Sequence, residues 1–123
     1  MQKRRTIVAV VDDDPSMLRA AADLLDANGF IPSLFASAEE FLASGLAKKA
    51  DCLLLDIHLK GLTGIELRRR LESSGTTLPV IFMTALDNEA IRQQALQAGC
   101  IAYLRKPFPA RQLIDAIAKA VAA

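Results

Sequence analysis

Short apolar runs alternate with longer stretches in which apolar residues recur at helical spacing, and this alternation repeats five times along the chain. The runs Thr6 to Val11, Ile31 to Phe35, Cys52 to Leu55, Val80 to Met83 and Ile101 to Leu104 are rich in Val, Ile, Leu and Phe with little polar alternation. Such runs predict strands covered on both faces. Between them Leu18, Ala21, Ala22 and Leu25 make one apolar stripe, as do Ile91, Ala95 and Ala98, and then Ile114, Ile117 and Val121. Ser37 with Glu40, and Thr63 with Glu66, have the spacing of a capping box at a helix start, and Asn28-Gly29 and Gly99 supply stops. Pro109 fits the first turn of a last helix that runs nearly to Ala123.

Strict alternation of strand and helix requires right-handed crossovers, hence a parallel sheet with helices on both faces. Five strands predict an α/β fold in the flavodoxin-like order 2-1-3-4-5 rather than a closed barrel.

Composition narrows the function. With 123 residues, 52% hydrophobic, there is room for one domain spanning 1–123, large enough to fold without disulfides or a structural metal. A formal net charge of +1 gives no electrostatic reason for a nucleic-acid or membrane surface. The basic start Met1-Gln2-Lys3-Arg4-Arg5 resembles that of a signal peptide, but Asp12, Asp13 and Asp14 cut the following apolar run short, so a cytoplasmic protein is expected. Cys52 and Cys100 form no C-x-x-C pair, border apolar runs and are expected to be buried free thiols.

Sites on open parallel sheets form beyond the carboxyl ends of the strands, where strand order reverses. The residues at those ends are Asp12-Asp13-Asp14, Asp56, Thr84 and Arg105-Lys106-Pro107. Strands one and three are neighbours in the expected order, so Asp12, Asp13 and Asp56 should converge. Carboxylates about 4 Å apart repel by roughly 4 kcal/mol per pair at an effective dielectric near 20, so one must protonate or a cation must bind. A hard, all-oxygen cluster suits magnesium, with manganese as a substitute. Lys106 and the Thr84 hydroxyl arrive at the same rim. Metal, ammonium and hydroxyl can each take one oxygen of a transferred phosphoryl group, leaving Asp56, alone on the central strand, as nucleophile.

These residues stand in the motifs VVDDDPSM (10–17), LLLDIHLKGLTGIEL (53–67), VIFMTA (80–85) and YLRKPF (103–108), and over essentially its whole length the chain resembles a CheY-like response-regulator receiver domain of two-component signalling. VDDDPSM and GIEL are most similar to receivers that precede LuxR-type DNA-binding domains, the FixJ and NarL group of nitrogen-fixation and nitrate regulators. The resemblance implies that Asp56 is the phosphoacceptor, that Asp12, Asp13, Asp56 and the backbone carbonyl of His58 hold magnesium, that Thr84 and Lys106 contact the phosphoryl group, and that Tyr103 is the switch aromatic. It implies a sensor histidine kinase or histidine phosphotransfer protein as donor and a transcriptional output through a further domain. Phosphorylation is further expected to make the face built from Ile91 to Ala98, Ile101 to Arg105 and Arg111 to Ala118 self-associate as a homodimer or engage an effector, since it offers Arg92, Arg105, Arg111 and Asp115 for pairing and related receivers dimerise there. One departure is Lys60, where the family usually has proline, which predicts a looser loop and a cation close to the site.

Other readings compete. Asp14 reads as a plain helix N-cap, and Arg68-Arg69-Arg70 and Lys48-Lys49, without interleaved aromatics, as solvated charge. His58 is the single histidine, yet a carboxylate nucleophile needs no general base, so its side chain is expected at the mouth of the site. An aspartyl phosphohydrolase would need a second aspartate where His58 stands. A flavodoxin-like mononucleotide binder would need a phosphate-cradling loop where three carboxylates stand. A stand-alone phosphorelay shuttle is the remaining alternative.

Overall fold

The computed structural model describes residues 5–122; the basic start Met1–Arg4 and the terminal Ala123 lie outside the described residues. The elements are β1 (Ile7–Val11), α1 (Pro15–Ala27), β2 (Ile31–Phe35), α2 (Ala38–Ser44), β3 (Cys52–Asp56), α3 (Gly64–Ser73), β4 (Val80–Thr84), α4 (Glu89–Ala98), β5 (Ala102–Arg105) and α5 (Ala110–Ala122), with a single 3-10 turn at Leu46–Lys48. The five strands form one parallel sheet in the order β2-β1-β3-β4-β5, as the alternation predicts.

Alternate residues of the inner strands feed opposite layers, as the two-residue period of a strand requires. Ala9, Val11, Leu53, Leu55, Val80 and Phe82 pack with Phe41 of α2, Leu67 and Leu71 of α3 and Ala95 of α4. Val8, Val10, Cys52, Leu54, Ile81 and Met83 pack with Leu25 of α1 and Leu113 and Ile117 of α5. Every residue of β3 and β4 is buried, so both strands read as apolar runs up to their polar last residues, Asp56 and Thr84. Burying one such Leu or Ile is worth about 1.5–3 kcal/mol. A core of this size can tolerate mutually repelling carboxylates at its edge.

Several expectations shift. β2 is an edge strand with only partial cover and leaves Leu34 41% exposed, because its apolar run pairs on one side only. The last helix begins at Ala110, one residue beyond Pro109, and buries Leu113, Ala116, Ile117 and Ala120; Val121 stays exposed, so its stripe is rotated from the expected one. Thr63 and Glu66 make a full capping box, whereas at Ser37 the side chain accepts the Glu40 N–H and the Glu40 carboxylate meets only the Ser37 hydroxyl. Cys52 is buried, which pushes its thiol up to about 12, but Cys100 is only half-buried. Arg68 is not simply solvated: its Nε donates to the Gly99 carbonyl at 2.9 Å and ties α3 to the end of α4.

Candidate functional site

Strand register assembles the site. Val11 lies opposite Leu55, so Asp12 and Asp56, the next residues, leave the sheet side by side. Asp56 lies opposite Met83, which puts Thr84 one step further out, and Thr84 lies opposite Arg105, which puts Lys106 one step beyond that. Four residues that a sequence scatters over 95 positions thus meet at one corner of the sheet.

Asp12, Asp13 and Asp56 each offer a carboxylate oxygen, and these atoms all lie within 4.8 Å of one another. Asp12 is fully buried and Asp56 is 5% exposed, while Asp13 faces solvent. Lys106 Nζ sits 2.6 Å from Asp12 Oδ2 and 3.5 Å from Asp56 Oδ2. Backbone amides add further support: Asp14 N–H donates to Asp12 Oδ1 at 2.9 Å, His58 N–H to Asp56 Oδ1 at 3.3 Å, and Lys60 N–H to Asp13 Oδ2 at 3.3 Å.

Burial pushes the Asp56 carboxyl above the usual carboxylate range, with the Lys106 charge pulling it back in part and Asp12 adding to the rise. Burial also works against the Lys106 charge, yet its hydrogen bond to Asp12 and the nearby Asp56 outweigh that and hold the ammonium above its ordinary value. Three carboxylates against one ammonium leave the corner with an excess of negative charge when all are ionised. An all-oxygen donor set with that residual charge fits a hard divalent cation, and magnesium in particular, which takes one or two carboxylates and keeps waters.

Thr84 is fully buried, and its hydroxyl is engaged locally, accepting from Leu86 N–H at 3.0 Å and donating to the Leu86 carbonyl at 3.1 Å. Tyr103 is half-buried on β5; its hydroxyl donates to Asp87 Oδ1 at 3.2 Å, and the Arg92 guanidinium lies 5.5 Å from its ring centre. Arg92 also pairs with Asp87 at 3.3 Å. The His58 side chain is exposed and borders a hollow shared with Thr63, Glu66 and Ile91 rather than with the clustered carboxylates, and Asp14 caps α1 by accepting from Ser16 N–H.

Three contributors escaped the sequence reading. Gly64 lies so close to the Asp56 carbonyl that a Cβ there would come within 2.2 Å of the oxygen, which makes a glycine necessary to seat α3 on the end of β3. Asp87 holds the Tyr103 hydroxyl, and Glu39 accepts from Leu62 N–H at 2.9 Å. The glycine had a signal in its motif; the two acids, on separate elements from their partners, had none.

Comparison with known proteins agrees with this geometry. Residues 8–118 match the family described as response regulator receiver domain. Nodulation protein W of Bradyrhizobium diazoefficiens is 34% identical over 116 residues, covering 94% of this chain and 51% of that protein. Transcriptional regulatory protein FixJ of the same organism is 32% identical over 114 residues, covering 93% and 56%. The chain thus spans about half the length of the curated relatives it matches. Among solved structures, a response regulator receiver protein from Burkholderia phymatum superposes with a TM-score of 0.83 at 40% identity, covering 96% of each chain. Sheet order, acidic corner and sequence match over nearly the whole length have one explanation in common: this chain belongs to the response regulator receiver domain family.

Proposed function

We propose that residues 1–123 act as a single receiver domain that accepts a phosphoryl group on Asp56 from a sensor histidine kinase or histidine phosphotransfer protein. The observation that carries this is the convergence of Asp12, Asp13 and Asp56 with Lys106 reaching two of them. Asp12, Asp13, Asp56 and the His58 carbonyl would hold magnesium, or manganese in its place. When bound, the ion supplies charge neutralisation between the carboxylates and an incoming phosphoryl group.

The protein's own residues account for the rest of the chemistry. A carboxylate oxygen of Asp56 forms the new O–P bond while the N–P bond of the donor breaks, and the leaving imidazole nitrogen takes up a proton. Asp56 reacts as the anion, so no general base is needed at His58. Lys106, already 3.5 Å from Asp56 Oδ2, is placed to shift from Asp12 onto the transferred group. For the Thr84 hydroxyl to donate to a phosphoryl oxygen it must leave the Leu86 carbonyl. That exchange would move the segment carrying Asp87, and with it the hold on Tyr103.

The consequence we propose is a changed face along α4, β5 and α5, used for phosphorylation-dependent homodimerisation or for an effector that controls transcription, in the cytoplasm. Leu96 on α4 is 54% exposed, which supports an interface there. Arg92 and Arg111 already pair with Asp87 and Asp115 within this chain, so charge pairing across such an interface would be weak and salt-sensitive. Among the described residues no helix is long and apolar enough to cross a membrane. A phosphohydrolase is not favoured, because the residue two beyond Asp56 is His58, whose main-chain N–H, rather than an acidic side chain, meets Asp56. Beyond its own phosphorylation and dephosphorylation we propose no enzymatic activity.

Beryllofluoride with magnesium, which mimics the phosphorylated state, provides the test by amide NMR. Shifts should begin at 12–14, 56–60 and 84–87 and extend to Tyr103 and α4. Perturbation confined to another surface would reject the site.

A further inference from the structure

Position 60 is where the family usually has proline, and Lys60 there brings a backbone N–H that proline lacks. That N–H donates to Asp13 Oδ2 at 3.3 Å. Two residues on, Leu62 N–H donates to Glu39 Oε2 at 2.9 Å. Gly61 between them has φ +76°, and a Cβ there would come 2.8 Å from the same Glu39 oxygen. The loop after β3 is therefore clasped from two sides, by an acid of the metal cluster and by an acid in the first turn of α2, across a residue that must be glycine for the second acid to approach. The Leu62 amide is the main reason the Glu39 carboxyl is held below its usual range, so it accepts that bond as the anion at neutral pH.

We propose that Glu39 is a positioning residue for the metal site. By holding Leu62 it sets the path of residues 57–62, and so the Lys60 N–H that orients Asp13 and the His58 carbonyl assigned above as a ligand. Where a proline ring would restrict the loop covalently, here a carboxylate from α2 restricts it through a hydrogen bond. This inference rests on the proposed magnesium site. Glu39 touches none of the three clustered carboxylates, so its effect must pass through the loop.

The test uses the full chain, labelled for amide NMR, as wild type, Glu39→Ala and Glu39→Gln. Both variants remove the charge, but the Gln side-chain carbonyl can still accept from Leu62. In metal-free protein, exchange of the Leu62 and Lys60 amides should quicken in Glu39→Ala and stay slow in Glu39→Gln. Titration with magnesium chloride should show affinity lowered about tenfold in Glu39→Ala, the low end for a supporting partner of a metal ligand. Glu39→Gln should remain close to wild type. Equal affinity of wild type and Glu39→Ala overturns the proposal, as does a Glu39→Gln protein that behaves like Glu39→Ala. A wild type that takes no magnesium at all overturns the metal reading itself, an outcome distinct from either.

Discussion

Lys106 Nζ lies 2.6 Å from Asp12 Oδ2 but 3.5 Å from Asp56 Oδ2, so the ammonium rests on the innermost carboxylate and leaves the outer one available. Asp12 is fully buried and its other oxygen takes the Asp14 amide, so this acid is spoken for on both sides. Asp56 keeps one oxygen on the His58 amide and the other toward a cation that can still move.

Removing that cation should cost stability before any phosphoryl chemistry is considered. Breaking a buried ion pair by deleting one partner destabilises by roughly 3–5 kcal/mol, and with the Lys106 side chain 18% exposed the lower end applies. Lys106→Ala should therefore unfold at lower urea than wild type in chelator, and magnesium should restore more stability to the variant than it adds to wild type. Identical urea midpoints in chelator would show that the pair contributes nothing.

The raised Asp56 carboxyl has a stability consequence of definite sign. Its folded value lies above its unfolded one because of burial, so over the interval between them the folded state binds more protons and stability falls as pH rises. Above that interval the ionised group is a standing cost. Asp56→Asn, which never ionises, should melt higher than wild type at neutral pH in chelator. The gain should fade as pH drops toward the ordinary aspartate value, and should shrink with magnesium, which supports wild type more. A variant that melts lower at neutral pH in chelator would mean the carboxylate is not strained.

Tyr103 is the single tyrosine and the chain has no tryptophan, so phenol absorbance reports this residue alone. Burial, then the hydrogen bond to Asp87, hold its phenol above the ordinary value. Asp87→Ala should bring the absorbance titration down toward that of free tyrosine. Thr84→Ala, which strips Leu86 N–H of its acceptor at a cost of about 1 kcal/mol, should still be labelled by a small phosphodonor. It should, however, lose the chemical-shift response at Tyr103. A full wild-type response in Thr84→Ala would exclude the hydroxyl as relay.

Much of this arrangement was legible in the sequence because parallel register converts strand ends into neighbours. Once Val11 and Leu55 are adjacent, Asp12 and Asp56 have no choice but to meet. Strand bounds moved by a residue where polar ends continued the ladder, as at Asp56, Thr84 and Arg105. What local pattern could not carry was the choice among partners within reach. Whether Lys106 rests on Asp12 or Asp56 depends on burial of each oxygen, and the bond from Leu62 to Glu39 joins a loop to a helix 23 positions away. Edge exposure of β2 was legible as well: the expected order 2-1-3-4-5 places Ile31 to Phe35 outside, and Pro32 and Ser33 within it suit an edge strand better than an inner one.

The central claim is that Asp56 accepts a phosphoryl group with the help of a divalent cation held beside it. Intact-mass spectrometry after incubation with acetyl phosphate tests it most directly, on wild type and Asp56→Asn, each with magnesium and with chelator. The account predicts a single phosphoryl adduct on wild type with magnesium, little or none with chelator, and none on Asp56→Asn. Labelling of Asp56→Asn to the wild-type level, or labelling indifferent to chelator, would contradict it.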